Sequence, residues 1–364
     1  MRRGALRRLA VLAGSVAFGL LLLDLVLRLF PSIPGPRLAN YVFSRYGVFT
    51  GGIYVRDPVS RVHFMWPGYT TETAWNGYRW RHSTDGRGFR NPQGAPHELL
   101  LLGDSLIYGH GVEETETVAH FLRAEWGRGA YNLGRQGACL LDEYVFLRTW
   151  LAELAPRDVV LTVFLNDFHD LTVYRTAEEI ARAPELAYDY AAIRRWAGTL
   201  AERQPNRLRR WVATLPSIRL LRGIVRSSLG PISFATPAWA ATEPDAPEFL
   251  LPLGSAEQRA VFARYYRRLF ADLAARTRDA GARLHVVYLS AGAERRHWND
   301  AQERAIALLA DAAAGAGLPL FDTRPEFAGC EACFLPADGH YSPAGHRRLA
   351  ELLATRVLAE PVAD

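Results

Sequence analysis

The chain has 364 residues, 49% of them hydrophobic and 22% charged, a balance that supports a sizeable packed core and excludes wholesale disorder. The net charge is +5, and all 43 basic residues are arginine; they are scattered without a nucleic-acid-binding motif, so no nucleic-acid partner is expected. Three cysteines, Cys139, Cys330 and Cys333, are too few for a disulfide scaffold and lack the second pair that a structural zinc needs.

The elements follow in chain order. Arg2, Arg3, Arg7 and Arg8 precede an apolar run from Leu9 to Phe30 that only Asp24 and Arg28 interrupt. About 20 residues cross a bilayer, and arginines ahead of the span favour an N-terminus inside and the remainder outside. Residues 9–30 are therefore expected to be a single-pass anchor in the cytoplasmic membrane, with the rest of the chain on the periplasmic, extracytoplasmic side. A cleaved signal peptide is the alternative, but no convincing small-x-small site precedes Pro31. Asp24 and Arg28, four apart, can pair on one helix face. Residues 1–39 read as anchor plus Pro-containing linker. Residues 40–97 are rich in Tyr, Trp, Val and Gly, with Pro-Gly at 67–68 and Asp-Gly at 85–86, which predicts an irregular β-rich lead-in.

From Glu98 the pattern alternates. Strands are predicted at Leu99–Leu102, Ala130–Leu133, Asp158–Phe164, Leu284–Leu289 and Leu318–Phe321. Helices are predicted at Thr115–Trp126, Asp142–Leu154, Glu257–Ala280, Ala301–Ala314 and Pro343–Leu358. Ser255 followed by Gln258 is a capping box, and Gly315 and Gly317 are stop signals. Such alternation implies a parallel sheet with helices on both faces. The domain is expected to run over 98–360, with an insertion at 171–254.

Ser105 follows the first of these strands in Gly103-Asp104-Ser105, and strand carboxyl ends are where open α/β sheets bind ligands. A helix starting there would aim its N–H groups at the same spot. A serine needs a base. Pro336-Ala337-Asp338-Gly339-His340 supplies one: His340 to take the Ser105 proton and Asp338 to hold the imidazole. Asn166, past the Asp158–Phe164 strand, can donate to an oxyanion. The glycines of Asn132-Leu133-Gly134-Arg135-Gln136-Gly137 allow close approach of a backbone N–H. His346 is expected to be structural. Four strand ends of one sheet thus deliver a nucleophile, two oxyanion donors and a base pair, the set acyl transfer needs.

With these blocks in this order, residues 85–357 resemble the GDSL/SGNH hydrolase family. The matching blocks are Gly103-Asp104-Ser105, Gly137, Asn166-Asp167 and Asp338/His340. The resemblance implies a flavodoxin-like three-layer α/β/α sandwich. It also implies a Ser105-His340-Asp338 triad and an oxyanion hole from the Ser105 and Gly137 N–H groups and the Asn166 side chain. Two positions depart from the pattern: Phe164 replaces the glycine of G-x-N-D, and the last block is D-x-H, one residue shorter than D-x-x-H. The stretch Ser83–Asn91 also resembles an NS-x-GFR segment of bacterial membrane-linked members, and a packing role is expected for Phe89.

The expected activity is a serine esterase acting on an ester-bearing substrate, with a cell-envelope polysaccharide or lipid as its class. An O-acyltransferase with the same triad and a non-catalytic envelope binding protein are the alternatives. No cofactor or metal is expected, since neither HExxH nor GxxxxGK[ST] occurs. Within the insertion, Asn206–Arg226 is basic and amphipathic and broken at Pro216. It is read as a helical cap with solvated arginines, or as a stretch lying on an anionic membrane surface. Cys330 and Cys333 could close a small loop or remain free thiols.

Overall fold

The computed structural model describes residues 2–228, 248–292, 299–336 and 338–359. Two antiparallel hairpins come first: Tyr54–Arg56 (β1) with His63–Met65 (β2), and Thr70–Trp75 (β3) with Tyr78–Ser83 (β4). Five strands follow: Leu99–Leu102 (β5), Ala130–Asn132 (β6), Asp158–Val163 (β7), Arg283–Tyr288 (β8) and Leu320–Asp322 (β9). They form one parallel sheet in the order β6-β5-β7-β8-β9. Counted within the sheet this is 2-1-3-4-5, the flavodoxin-like order.

β5 and β7 are buried along their whole length, as strands covered on both faces must be. Alternate side chains divide between two cores. Leu100, Leu102, Val159 and Leu161 pack with helices Leu140–Leu154, Ala256–Asp279 and Asp300–Ala314. Leu99, Leu101, Val160 and Val287 pack with helices Val118–Trp126 and Pro343–Leu352 on the opposite face. The result is the expected three-layer α/β/α sandwich. Phe64, Met65, Trp80 and Phe89 of the lead-in join the first core, so residues 40–97 share the sheet's interior.

Ser255 and Gln258 form the capping box of helix Ala256–Asp279. The stretch 31–39 is not wholly a linker. After Gly35, at φ +75, a helix runs over Pro36–Phe43 with proline in its first turn, where a missing N–H costs nothing.

Between β7 and β8 the insertion is helical, and residues 229–247 of it lie outside the described residues. The break at Pro216 is real: helix Arg207–Ala213 ends and Pro216 opens helix Pro216–Ser228. This last helix packs on the N-terminal helix Arg2–Leu29 and on helix Pro36–Phe43. Ser217 N–H donates to Asp24 Oδ1 (3.3 Å) and Arg219 Nε–H to the carbonyl of Val42 (2.8 Å). Arg28 pairs with Asp24 at 2.7 Å. Among the described residues, Arg7–Leu29 is the one helical stretch long and apolar enough to cross a membrane. Cys330 and Cys333 are disulfide-bonded, and Cys139 is a buried free thiol.

Candidate active site

Ser105 sits just past β5. A Cβ at Gly103 would lie 2.2 Å from Thr162 Oγ1 and 2.4 Å from Ile107 Cγ1, so the strand end admits only glycine there. Asp104 caps the turn by accepting from Leu106 N–H at 2.8 Å. The helix it opens is one turn, Ser105–Tyr108, ended by Gly109 at φ +85. The N-terminal dipole expected at the nucleophile is therefore that of a single turn, and it falls short of a long helix's contribution.

The segment Ser83–Asn91, whose role the sequence leaves open beyond packing, is a buckle behind this turn. Arg90 is fully buried and donates to the carbonyls of Gly109 (2.6 Å), Val112 (2.6 Å), Tyr108 (3.2 Å) and Arg81 (3.1 Å). Asp85 accepts from Arg87 and Phe89 N–H and from Tyr131 Oη–H. Phe89 is buried and packs as expected.

The last loop places both remaining residues. Leu335 N–H donates to His340 O (2.7 Å) and Gly339 N–H to Leu335 O (2.8 Å), with Gly339 at φ +85. The reversal at Gly339 lets Asp338 and His340, two apart, meet; it takes the place of the extra residue in D-x-x-H. His340 Nδ1–H donates to Asp338 Oδ1, and Ser105 Oγ–H donates to His340 Nε2 at 2.7 Å. Serine, histidine and aspartate thus form one hydrogen-bonded line across a separation of 235 residues.

Electrostatics suit this line. Burial lowers the pKa of His340 below its ordinary value, against the raising hydrogen bond from Asp338. A neutral imidazole able to accept a proton results. Burial alone would raise Asp338, but the nearby rings of His110 and His340, the latter hydrogen-bonded to it, hold it below the usual carboxylate range.

Gly137 has φ +63, and a Cβ there would meet nothing within 4 Å, so its backbone borders open space. Asn166 lies past β7, where its Nδ2 donates to Asp170 Oδ2 at 3.1 Å. Asp104, Glu143, Asp167 and Asp170 stand behind the site. Burial raises Asp104 to about 6 and lifts Glu143 and Asp167 well above the usual range. Glu143 has no hydrogen-bond partner on either carboxyl oxygen among the described residues, so burial favours its neutral form.

His110 is the residue the sequence reading missed. Its ring stacks on His340 with centroids 4.1 Å apart, and its Nε2 lies 3.6 Å from Asp338 Oδ1. Its Nδ1 lies 2.8 Å from Gln136 Oε1, beside Gly137. It stands five positions after Ser105, past the helical turn and Gly109, in a stretch with no motif of its own, and only the fold sets it against the Asp338–His340 loop. His110, Asp338 and His340 present donor atoms within 4.8 Å of one another, the one such three-donor group among the described residues.

No protein-family model matches the chain, and no curated protein matches it. Among solved structures it is similar to LAE5, an alpha/beta hydrolase enzyme from the metagenome of Lake Arreo, Spain, at 14% identity and TM-score 0.36, covering 75% of this chain and 100% of that one. It is similar to TesA at 16% identity and TM-score 0.37, covering 72% and 99%. A third is a single-residue mutant of Axe2, an acetyl-xylooligosaccharide esterase from Geobacillus, at 13% and 0.34, covering 73% and 96%. At these identities and TM-scores none of the three bears on the chemistry of this chain.

Proposed function

We propose that the chain is a membrane-anchored serine esterase of the GDSL/SGNH type. The observation that carries this reading is the 2.7 Å hydrogen bond from Ser105 Oγ to His340 Nε2, with His340 bonded in turn to Asp338. Ser105 Oγ attacks the ester carbonyl while its proton passes to His340, and Asp338 stabilises the imidazolium. The tetrahedral oxyanion is received by the N–H groups of Ser105 and Gly137 and by the second Nδ2–H of Asn166, since an amide has two donors and Asp170 occupies one. Collapse breaks the acyl–oxygen bond. The alkoxide leaves with the proton of His340, and Ser105 keeps the acyl group. Water, deprotonated by His340, then attacks the acyl-enzyme, releasing the carboxylic acid and restoring Ser105.

The apolar helix Arg7–Leu29, with arginines ahead of it, supports a span with the catalytic part outside the cytoplasmic membrane. A cell-envelope glycan or lipid is the matching substrate class.

The test is fluorophosphonate labelling of the full chain in detergent, with p-nitrophenyl acetate turnover in parallel. Labelling is expected in wild type and lost in Ser105→Ala, with turnover down by about 10⁶. A chelator is expected to leave turnover unchanged; loss on chelation would reassign the His110-Asp338-His340 cluster to a metal. A folded wild type that neither labels nor turns over ester would sink the esterase reading. Sugar-acceptor acylation in place of acid release would identify an O-acyltransferase.

A further inference from the structure

Asp338 is held from outside its own loop. Its Oδ2 accepts from Asn76 Nδ2–H at 2.7 Å, while Oδ1 serves His340. Asn76 belongs to the two-residue turn of the β3–β4 hairpin, with φ +48, followed by Gly77 at φ +88. Positive φ at both positions is the backbone of a type I′ hairpin turn, where asparagine is favoured. Asn76 is in turn clamped by Asn40 of helix Pro36–Phe43. Asn40 Nδ2–H donates to Asn76 Oδ1 (2.7 Å), and Asn76 N–H donates to Asn40 Oδ1 (2.8 Å).

The orientation of both amides follows from the ends of this chain of bonds. A backbone N–H can only donate, so the Asn40 atom it meets is the oxygen. A carboxylate can only accept, so the Asn76 atom facing Asp338 is the nitrogen. Every member is satisfied with no flip left open. The bonds run from the helix that follows the apolar N-terminal helix, through a hairpin tip, to the triad acid. That helix is itself gripped by helix Pro216–Ser228: a Cβ at Gly223 would come within 2.9 Å of the Tyr41 ring.

We propose that Asn76 is a positioning residue for Asp338, and that Asn40 makes the helix Pro36–Phe43 beside the membrane anchor part of the catalytic centre. This rests on the serine-hydrolase reading of the site. A carboxylate held at one oxygen only can swing about its χ2; a hydrogen bond at the second oxygen fixes the plane in which it meets His340. Hydrogen bonds to charged groups carry enough free energy for a tenfold effect on rate. The side chain of Asn76 is exposed, so its removal leaves no cavity.

The experiment uses the full chain in detergent, with Asn76→Gly, Asn76→Asp and Asn40→Ala beside wild type and Ser105→Ala. Glycine keeps the positive φ and removes only the amide. Aspartate keeps the turn, because it tolerates that backbone, but sets a second carboxylate against Asp338. Asn76→Gly is expected to lower kcat and the fluorophosphonate labelling rate by about tenfold with KM unchanged. Asn76→Asp should fall further, and Asn40→Ala by a smaller factor, all at an unchanged melting temperature. A merely structural role would not separate glycine from aspartate, nor kcat from KM. If wild type labels at Ser105 while all three variants stay within about twofold of it, the positioning role is wrong and the esterase reading stands. If wild type fails to label, the esterase reading falls, and this inference with it.

Discussion

Two helical stretches of the molecule, each mixing arginine with apolar residues, meet opposite fates. Helix Ala256–Asp279 buries Phe262, Tyr265, Tyr266, Leu269, Phe270 and Leu273 against the sheet and sends its arginines outward. In the insertion, helices Arg207–Ala213 and Pro216–Ser228 bury small or polar residues, among them Ala213, Ser217 and Arg219, and leave Leu208, Trp211 and Leu221 exposed. Exposed apolar side chains of this kind point to a partner surface. If the anchor spans a membrane as proposed, the position of the second stretch fits a lipid surface. Ser217 meets Asp24, five residues before the end of the apolar stretch at Leu29. At about 1.5 Å per residue, this puts the helix start roughly 7 Å inside the end of the proposed span. Interfacial helices bury their apolar faces about 5–10 Å deep. Composition therefore does not decide burial in these helices: one packs on the sheet, and the other leaves its apolar side chains exposed, where the proposed membrane anchoring would set them against lipid.

The hardest test of this contrast is to truncate one apolar side chain in each region and compare thermal unfolding of the full chain. Phe270→Ala is expected to cost about 3–5 kcal/mol through lost burial and the cavity left behind. Leu221→Ala, with 47% of the residue already exposed, should stay within about 0.5 kcal/mol. Equal losses would mean that the insertion helix has a protein core of its own.

A second measurement fixes where Leu221 points. A nitroxide on Leu221→Cys, with the chain in lipid nanodiscs, is expected to be relaxed several-fold more by oxygen than by a water-soluble nickel chelate, as a residue in the acyl region should be. The same label on Arg264→Cys, on the outer face of helix Ala256–Asp279, should show the reverse order. Nickel dominating at both positions would return the insertion to a solvated cap.

The same contrast explains what the sequence could carry. The sheet was legible because β5 is an uninterrupted apolar run and β7 nearly one, with helices between, and such patterns depend on neighbours close in sequence. Ser105 and Asn166 were legible because each stands just past a strand end, and the Asp338–His340 loop, beyond β9 and two short helical turns, was legible by its residue types. Three things were not legible. The short D-x-H spacing works only through the reversal at Gly339, which is visible in the backbone alone. His110 and Asn76 enter the site by contacts spanning 228 and 262 residues (338 − 110 = 228), and neither carries a local signal. The helix Pro36–Phe43 was masked by prolines that read as linker, though Pro36 only opens a first turn.

His110 and His346 repeat the comparison on the scale of one side chain, and they carry the smallest expected effect. Both are buried. The ring nitrogens of His346 have no hydrogen-bond partner among the described residues, and burial lowers its pKa to about 3, so the ring is neutral packing. His110 instead faces Asp338 and His340. His340 must be neutral to take the Ser105 proton, so kcat/KM falls as pH drops through the pKa of His340. Burial first, and then the charge of His110, hold that pKa below its ordinary 6.5. Activity should therefore persist below pH 6.5. His110→Asn removes the repelling ring, so the acid limb is expected to move up toward 6.5 by less than about one unit. His346→Asn should leave the limb nearly where it is. A limb that stays put in His110→Asn would show that the stacked ring supplies shape and no charge, and His110 would then rank with His346 as packing.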